Sequence, residues 1–234
     1  VETESPYKVL VGSGGDQSSK RGVGITGSEN LGESWRSSDD GFTRDVHVSK
    51  LIIDPNNSDI FYATTQGQTD YTDKIGDGAG VFKSIDRGSS WEQINNGLKT
   101  LETNVLVVDP NNSNTLYLGT DDDGIYKSTN GGDKWMQLNV SQISEPFGVG
   151  DIVVDPEDSD VVYLATVDYF RLAGERGALG DFGVYKSTNG GATWEDFNMG
   201  LLHPGVFSLE LNTEKRILYA GTRAGGVYWI SLDS

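Results

Sequence analysis

Cysteine is absent from this 234-residue chain. That excludes a disulfide framework and any thiolate metal site. Histidine is nearly absent: only His47 and His203 occur, and both read as turn residues capping backbone. Positive charge is scarce, with 18 Lys and Arg against 35 Asp and Glu, a net charge of −17. Nucleic acid and anionic membranes bind through basic patches, so neither is expected as a partner. No apolar run approaches the ~20 residues of a membrane-spanning helix, and no membrane insertion is expected. Val1–Leu10 lacks the basic-then-apolar layout of a signal peptide, so any leader is expected to have been removed. No segment sustains a 3.6-residue hydrophobic period, so almost no helix is expected. Nor is there a Ser–His–Asp order, a phosphate loop, a zinc spacing or a dinucleotide fingerprint. The "GSGG" at Gly12 runs into polar residues rather than a helix and reads as a turn.

What is present is glycine, 31 residues of it, with many valines and tyrosines, the composition of a strand-rich chain with many turns. It is also repetitive. "SIDRGSSW" at Ser84, "STNGGDKW" at Ser128 and "STNGGATW" at Ser187 are versions of one eight-residue phrase, and "SENLGESW" at Ser28 is a weaker copy. The flanks fall into register around it. "GVFKS", "GIYKS" and "GVYKS" precede the three strong copies; "IFYATT", "TLYLGT", "VVYLAT" and "ILYAGT" lie further upstream. Before the first three of these come "LIIDPNNSD", "LVVDPNNSN" and "IVVDPEDSD". Each unit is therefore four short apolar runs, here lettered a to d, separated by turns. The Asp-Pro turn joins a to b, since proline cannot continue a central strand. The eight-residue phrase joins c to d. Such a unit cannot bury both faces of its sheet alone, and radial repetition solves this, so the expected fold is all-β, a β-propeller of four-stranded antiparallel blades. A single propeller domain over residues 1–234 is expected, with units at about 1–46, 47–99, 100–147, 148–203 and 204–234. The first lacks strand a and the last strand d. The chain is either a five-bladed ring with imperfect ends or part of a larger propeller, and open end blades invite association.

The phrase resembles the Asp-box, or BNR repeat, Ser-x-Asp-x-Gly-x-x-Trp. The matching residues are Ser28, Asn30, Gly32 and Trp35; Ser84, Asp86, Gly88 and Trp91; Ser128, Asn130, Gly132 and Trp135; and Ser187, Asn189, Gly191 and Trp194. Three copies carry Asn where the family has Asp, and Asn makes the same bonds to turn amides. The resemblance implies a structural role: Ser and Asp/Asn staple the turn, Gly takes positive φ, and Trp packs into the sheet. In repeat style the chain is closest to xyloglucanase-like and sortilin-like propellers.

The resemblance also implies a ligand face on the side opposite the eight-residue turns, where the b–c and d–a loops emerge. The b–c loops vary most in length, as functional loops on rigid scaffolds do. Gln66–Gly80 and Val167–Gly183 are long insertions. They carry Tyr71, Tyr169, Phe170, Arg171 and Arg176, the expected binding residues for a glycan or protein partner. Aromatics beside acids suit sugar faces and hydroxyls; the alternative is loops packed on each other with solvated acids. Catalytic candidates, chosen only for their face, are Asp39, Asp40, Asp45, Asp70, Asp77 and Asp181. No cofactor is expected. Asp121–Asp123 offers oxygen ligands for calcium but lacks the spaced Asp-x-Asp-x-Asp-Gly pattern and reads as a solvated turn. Asn56, Asn111 and Asn139 open Asn-x-Ser sequons that matter only on export.

Two functional readings follow. The first expectation is a non-catalytic interaction or scaffold propeller, extracellular or at the cell surface. The alternative is a xyloglucanase-like glycoside hydrolase working through paired Asp carboxylates. The resemblance places that pair on two separate propellers, and no segment here matches the catalytic ones. A sialidase is excluded, because the chain has no Arg-x-Pro segment.

Overall fold

The computed structural model describes residues 8–12, 24–42, 47–67, 78–141, 143, 147–167, 182–198, 200–201, 205–223 and 225–233. All regular structure among them is strand, in five antiparallel sheets whose strands follow one another in chain order. The first sheet comprises β1 (Val9–Gly12), β2 (Ile25–Ser28) and β3 (Arg36–Ser37). The second comprises β4 (His47–Asp54), β5 (Asn57–Gln66), β6 (Val81–Ser84) and β7 (Glu92–Gln93). The third is β8 (Thr103–Asp109), β9 (Asn112–Thr120), β10 (Ile125–Ser128) and β11 (Met136–Gln137). The fourth is β12 (Gly148–Asp155), β13 (Asp158–Val167), β14 (Val184–Ser187) and β15 (Glu195–Asp196). The fifth has β16 (Val206–Asn212), β17 (Ile217–Thr222) and β18 (Gly226–Ser231). The chain forms two compact units, residues 1–95 with 101–103, and residues 96–100 with 104–234.

Strand b reads as an unbroken apolar run because both its faces are covered. Phe61 to Thr65 on β5 and Leu116 to Thr120 on β9 are all buried. The a–b connection is a two-residue turn: Asp54 pairs with Asn57, and Asp155 with Asp158. In that turn Asp54, Asp109 and Asp155, each at most 2% exposed, accept the amide hydrogen two residues on at 2.9–3.0 Å. This Asx bond satisfies the amide that follows the proline and fixes the turn.

A cross-strand Tyr–Lys pair recurs in the three four-stranded sheets. Tyr62, Tyr117 and Tyr163 lie opposite Lys83, Lys127 and Lys186, with the ammonium 5.6, 5.1 and 5.9 Å from the ring centroid. The tyrosine buries its ring while the lysine stem covers it and keeps its charge near solvent. The three-stranded sheets differ: Leu10 faces Gly27 in the first, and Tyr219 faces Trp229 in the fifth.

Candidate functional site

The eight-residue turns crowd one end of the sheets, and their polar atoms are spent on their own backbone. Ser84 Oγ accepts the Gly88 N–H at 2.7 Å and donates to Asp86 Oδ1 at 2.7 Å. Asp86 Oδ1 accepts the Ser89 and Ser90 amide hydrogens, both at 2.9 Å. The amide oxygens of Asn30, Asn130 and Asn189 do the same work toward Ser34, Lys134 and Thr193 at 2.9–3.0 Å, so Asn serves where a carboxylate is expected. Gly32, Gly88, Gly132 and Gly191 hold φ of +76 to +94°, open to glycine at little cost. Burial pushes the Asp86 carboxyl up, but its bonds from Ser90, Ser84 and Ser89 outweigh that and hold it at about 2. Trp91, Trp135 and Trp194 are buried; the Trp91 and Trp135 amides donate to the Asp40 and Asn96 carbonyls at 2.8 Å, and Trp194 shares a core cluster with Val105 and Tyr117 of the third sheet. Trp35 departs from the expected packing and is 44% exposed.

The opposite end is built differently. In the first unit, Glu102 accepts the Gly67 N–H at 2.6 Å and the Gly78 N–H at 3.0 Å. One half-buried carboxylate thus clamps both shoulders of the first long insertion. Thr103 Oγ1 lies 3.0 Å from both the Thr65 and Gly80 carbonyls, and Ser49 Oγ donates to the Thr103 carbonyl at 2.8 Å. In the second unit, Asp151 Oδ2 accepts the Leu209 N–H at 3.0 Å, and Asn104 Nδ2 donates to the Val149 carbonyl at 2.8 Å. Strand a carries a register shift at this end in three sheets, at Val48/Lys50, Val149/Asp151 and Val206/Ser208. Such bulges re-aim side chains and gather next to active sites. Rigid strand ends, half-buried acids and long insertions make this the candidate functional end.

The sequence candidates distribute unevenly over it. Asp39 accepts from Ser37 Oγ and abuts Gly24, where a built Cβ would lie 2.8 Å from its Oδ2. Asn95 and Asn198 fill the same place in their sheets and accept the Val81 and Val184 amide hydrogens at 2.8 and 2.7 Å. Asp39 thus stands beside the start of strand c, the place that Asn95 and Asn198 take in their sheets. Asp40 is its neighbour in the turn, and its carbonyl accepts the Trp91 N–H at 2.8 Å. Asp45, Asp70, Asp77, Asp181, Tyr71, Tyr169, Phe170, Arg171, Arg176 and His203 lie outside the described residues. His47 opens strand β4 opposite Gln66 rather than preceding the strand. Asp123 accepts from the Tyr126 hydroxyl and, at 3.3 Å, from Gln137 Nε2. Among the described residues no cluster of three acidic or histidine side chains is placed to hold a metal ion. Glu102 and Asp151 escaped the sequence reading, although Asp151 had a signal: it is the one charge in the apolar run "GVGDIVV".

The family described as Sortilin-Vps10, "Sortilin, neurotensin receptor 3", matches residues 79–225. The chain belongs to the Sortilin-Vps10 family. This Sortilin-Vps10 chain is also similar to curated enzymes. A xyloglucanase of Paenibacillus sp is 30% identical over 63% of the chain and 16% of the enzyme. A xyloglucanase of Hypocrea jecorina is 29% identical over 70% of the chain and 22% of the enzyme. The chain thus spans less than a quarter of the length of these relatives. Among solved structures, the GH74 enzyme of Niastella koreensis superimposes with a TM-score of 0.62 at 23% identity, over 90% of the chain and 33% of the enzyme. The fold is a β-propeller, of a kind related to xyloglucanases and sortilins. The relatives also correct the first functional expectation: named glycoside hydrolases at about 30% identity favour a hydrolase-like chain over a non-catalytic scaffold.

Proposed function

We propose that the chain is a propeller module of a xyloglucanase-like glycoside hydrolase, with its polysaccharide contacted at the end bearing the long b–c insertions. The observation that carries this reading is the 29–30% identity to two xyloglucanases over about two thirds of the chain. The structure supports the placement: at the other end the eight-residue turns consume their own polar groups, while this end holds half-buried acids on strand termini. Glycosidases work through two carboxyl groups about 5–9.5 Å apart, one acid and one base or nucleophile. Asp45, Asp70, Asp77 and Asp181, named from the sequence, and the half-buried Asp151 and Glu102 are the candidates from which this module would supply its share. The four eight-residue turns are read as Asp-boxes. A xyloglucan backbone is too large to enter a cell, which supports a secreted or surface location.

The test is xyloglucan binding and reducing-end release by the folded chain, with mannan and starch as controls. Binding selective for xyloglucan is expected. Asp→Asn change at a catalytic position is expected to lower release by roughly 10³-fold or more, the scale lost with an essential acid or base. A folded chain that neither binds nor cleaves xyloglucan overturns the reading.

A further inference from the structure

The first sheet breaks a row that the four-stranded sheets keep. Across strands b, c and d that row reads Tyr62–Lys83–Glu92 in the second sheet, Tyr117–Lys127–Met136 in the third and Tyr163–Lys186–Glu195 in the fourth. In the third sheet the row reaches the next sheet's eight-residue turn: Lys127 Nζ and the Tyr117 hydroxyl both donate to the Gly190 carbonyl, at 2.7 and 3.1 Å. In the first sheet the row is Leu10–Gly27–Arg36. Glycine replaces the lysine, and arginine stands where two sheets carry glutamate. Leucine and glycine are too short to fill the space, and a cavity of about 380 Å³ opens between the first sheet and the second sheet's turn. Lys8, Gly27, Glu29, Arg36, Ser38 and Ser89 line it. Its floor is fixed: the buried Ser38 donates its hydroxyl to the Gly88 carbonyl, and its own carbonyl accepts the Trp91 Nε1–H at 2.8 Å. Lys8 Nζ donates to Ser89 Oγ at 3.3 Å. The exposed Arg36 makes no hydrogen bond or ion pair among the described residues. Two cations against the single acid Glu29 make this wall positive in a chain of net charge −17. Both sheets belong to the first compact unit.

We propose that this cavity binds one hexuronic acid unit, a pyranose bearing a carboxylate. The Arg36 guanidinium takes the carboxylate as a fork, and the Lys8 ammonium adds a point charge beside it. Glu29 and the serine hydroxyls meet the ring hydroxyls. A bare oxyanion would give Glu29 nothing to accept, whereas a sugar acid offers a charge to the cations and O–H donors to the acid. The volume lies at the small end of ligand pockets, which suits a single sugar unit. The site stands beside the eight-residue turns, away from the end bearing the long insertions, and it does not rest on the hydrolase reading.

The probe is sodium glucuronate, titrated into the isotope-labelled full chain of 234 residues and followed by backbone amide shifts. Saturable shifts at Gly27, Ser38 and Ser89 are expected, with a Kd of about 1 mM, the scale for a ligand of this size. Glucose, which lacks the charge, and acetate, which lacks the ring, are each expected to bind at least about 10-fold more weakly. Arg36→Glu gives the first sheet the acid that the second and fourth carry, at an exposed position where the fold does not depend on it. It is expected to weaken glucuronate about 10-fold or more, the loss of a charge-assisted contact. Gly27→Met fills the cavity with a side chain of lysine's reach and no charge. A Cβ there meets the flexible ends of Leu10 and Lys8 at 3.0 and 3.2 Å, and Ser38 Cβ at 3.5 Å. This variant is expected to weaken binding by a similar factor while the melting curve holds. No shifts, shifts confined to the insertion-bearing end, equal binding of glucose or acetate, or unchanged binding to either variant overturns the proposal.

Discussion

At the scale of single residues, equal letters in the repeat do unequal work because their surroundings differ. Trp135 is 1% exposed, while Trp35 is 44% exposed. Trp135→Ala is expected to cost about 3–5 kcal/mol, the range for deleting a large buried aromatic. Trp35→Ala is expected to cost under about 1 kcal/mol, since half of its transfer term is absent in the folded state. Urea unfolding of both variants separates them, and equal losses would sink the account of how the turns pack. Asp86 is the one carboxylate among four equivalent turn positions. Its folded value of about 2 lies below the ordinary 3.8. The stability this confers is present above about pH 4 and is lost as pH falls toward 2. Asp86→Asn is therefore expected to keep the turn and to reduce acid-induced destabilisation over that window, read from melts at pH 2.5 and 5.

At the scale of elements, the turns between strands carry the strain and the charge. Gly97→Ala meets both a positive φ and the Trp135 carbonyl oxygen at 2.2 Å, whereas Gly200→Ala meets the positive φ alone. Both are expected to destabilise. Gly200→Ala should cost about 1 kcal/mol of backbone strain, and Gly97→Ala clearly more, because the carbonyl cannot retreat without breaking the Trp135 N–H bond to Asn96. Within the second unit, Arg216 in the β16–β17 turn makes a two-pronged pair with Asp155 at the end of β12, at 3.0 and 2.6 Å. Asp155 is 1% exposed. Burial pushes its carboxyl up, but the Arg216 and Glu157 hydrogen bonds overcome that and leave it below the usual carboxylate range. Removing the guanidinium strands a buried charge, so Arg216→Ala is expected to cost about 3 kcal/mol at pH 7. The pair's contribution is present above the ordinary carboxylate range and fades as pH drops below it. A variant whose stability matches the wild type at both pH 7 and pH 3 would show the pair to be energetically silent.

At the scale of the whole molecule, charge and repetition set the behaviour. A net charge of −17 makes the folded state repel itself, and salt shortens the reach of that repulsion to about 8 Å at physiological strength. The melting temperature is expected to rise by several degrees from about 0.01 to 0.3 M sodium chloride. A flat or falling profile would mean that local pairs such as Arg216–Asp155 outweigh the global repulsion. Repetition also bears on the proposed function. Equivalent loops share a backbone frame, so chemistry enters where one copy departs from the others, as in the insertions Gln66–Gly80 and Val167–Gly183.

The strands, their order and the stapled turns were legible from the sequence, because each depends on residues a few positions apart. A Ser and an Asn two apart reach the same turn amides in any context, and an apolar run between turn residues has no better partner than its neighbour. The hydrolase-like character was legible only as the second of two readings, since the repeat that dominates the sequence spends its polar groups on its own turns. What the tertiary structure decided lies between residues distant in the chain. It set Asp39 beside the start of strand c, where Asn95 and Asn198 stand in their sheets, and it brought Glu102 across 35 and 24 positions to the Gly67 and Gly78 amides. It exposed Trp35 while burying Trp135. Periodicity reports which face of a strand is apolar; only packing decides what arrives to cover it.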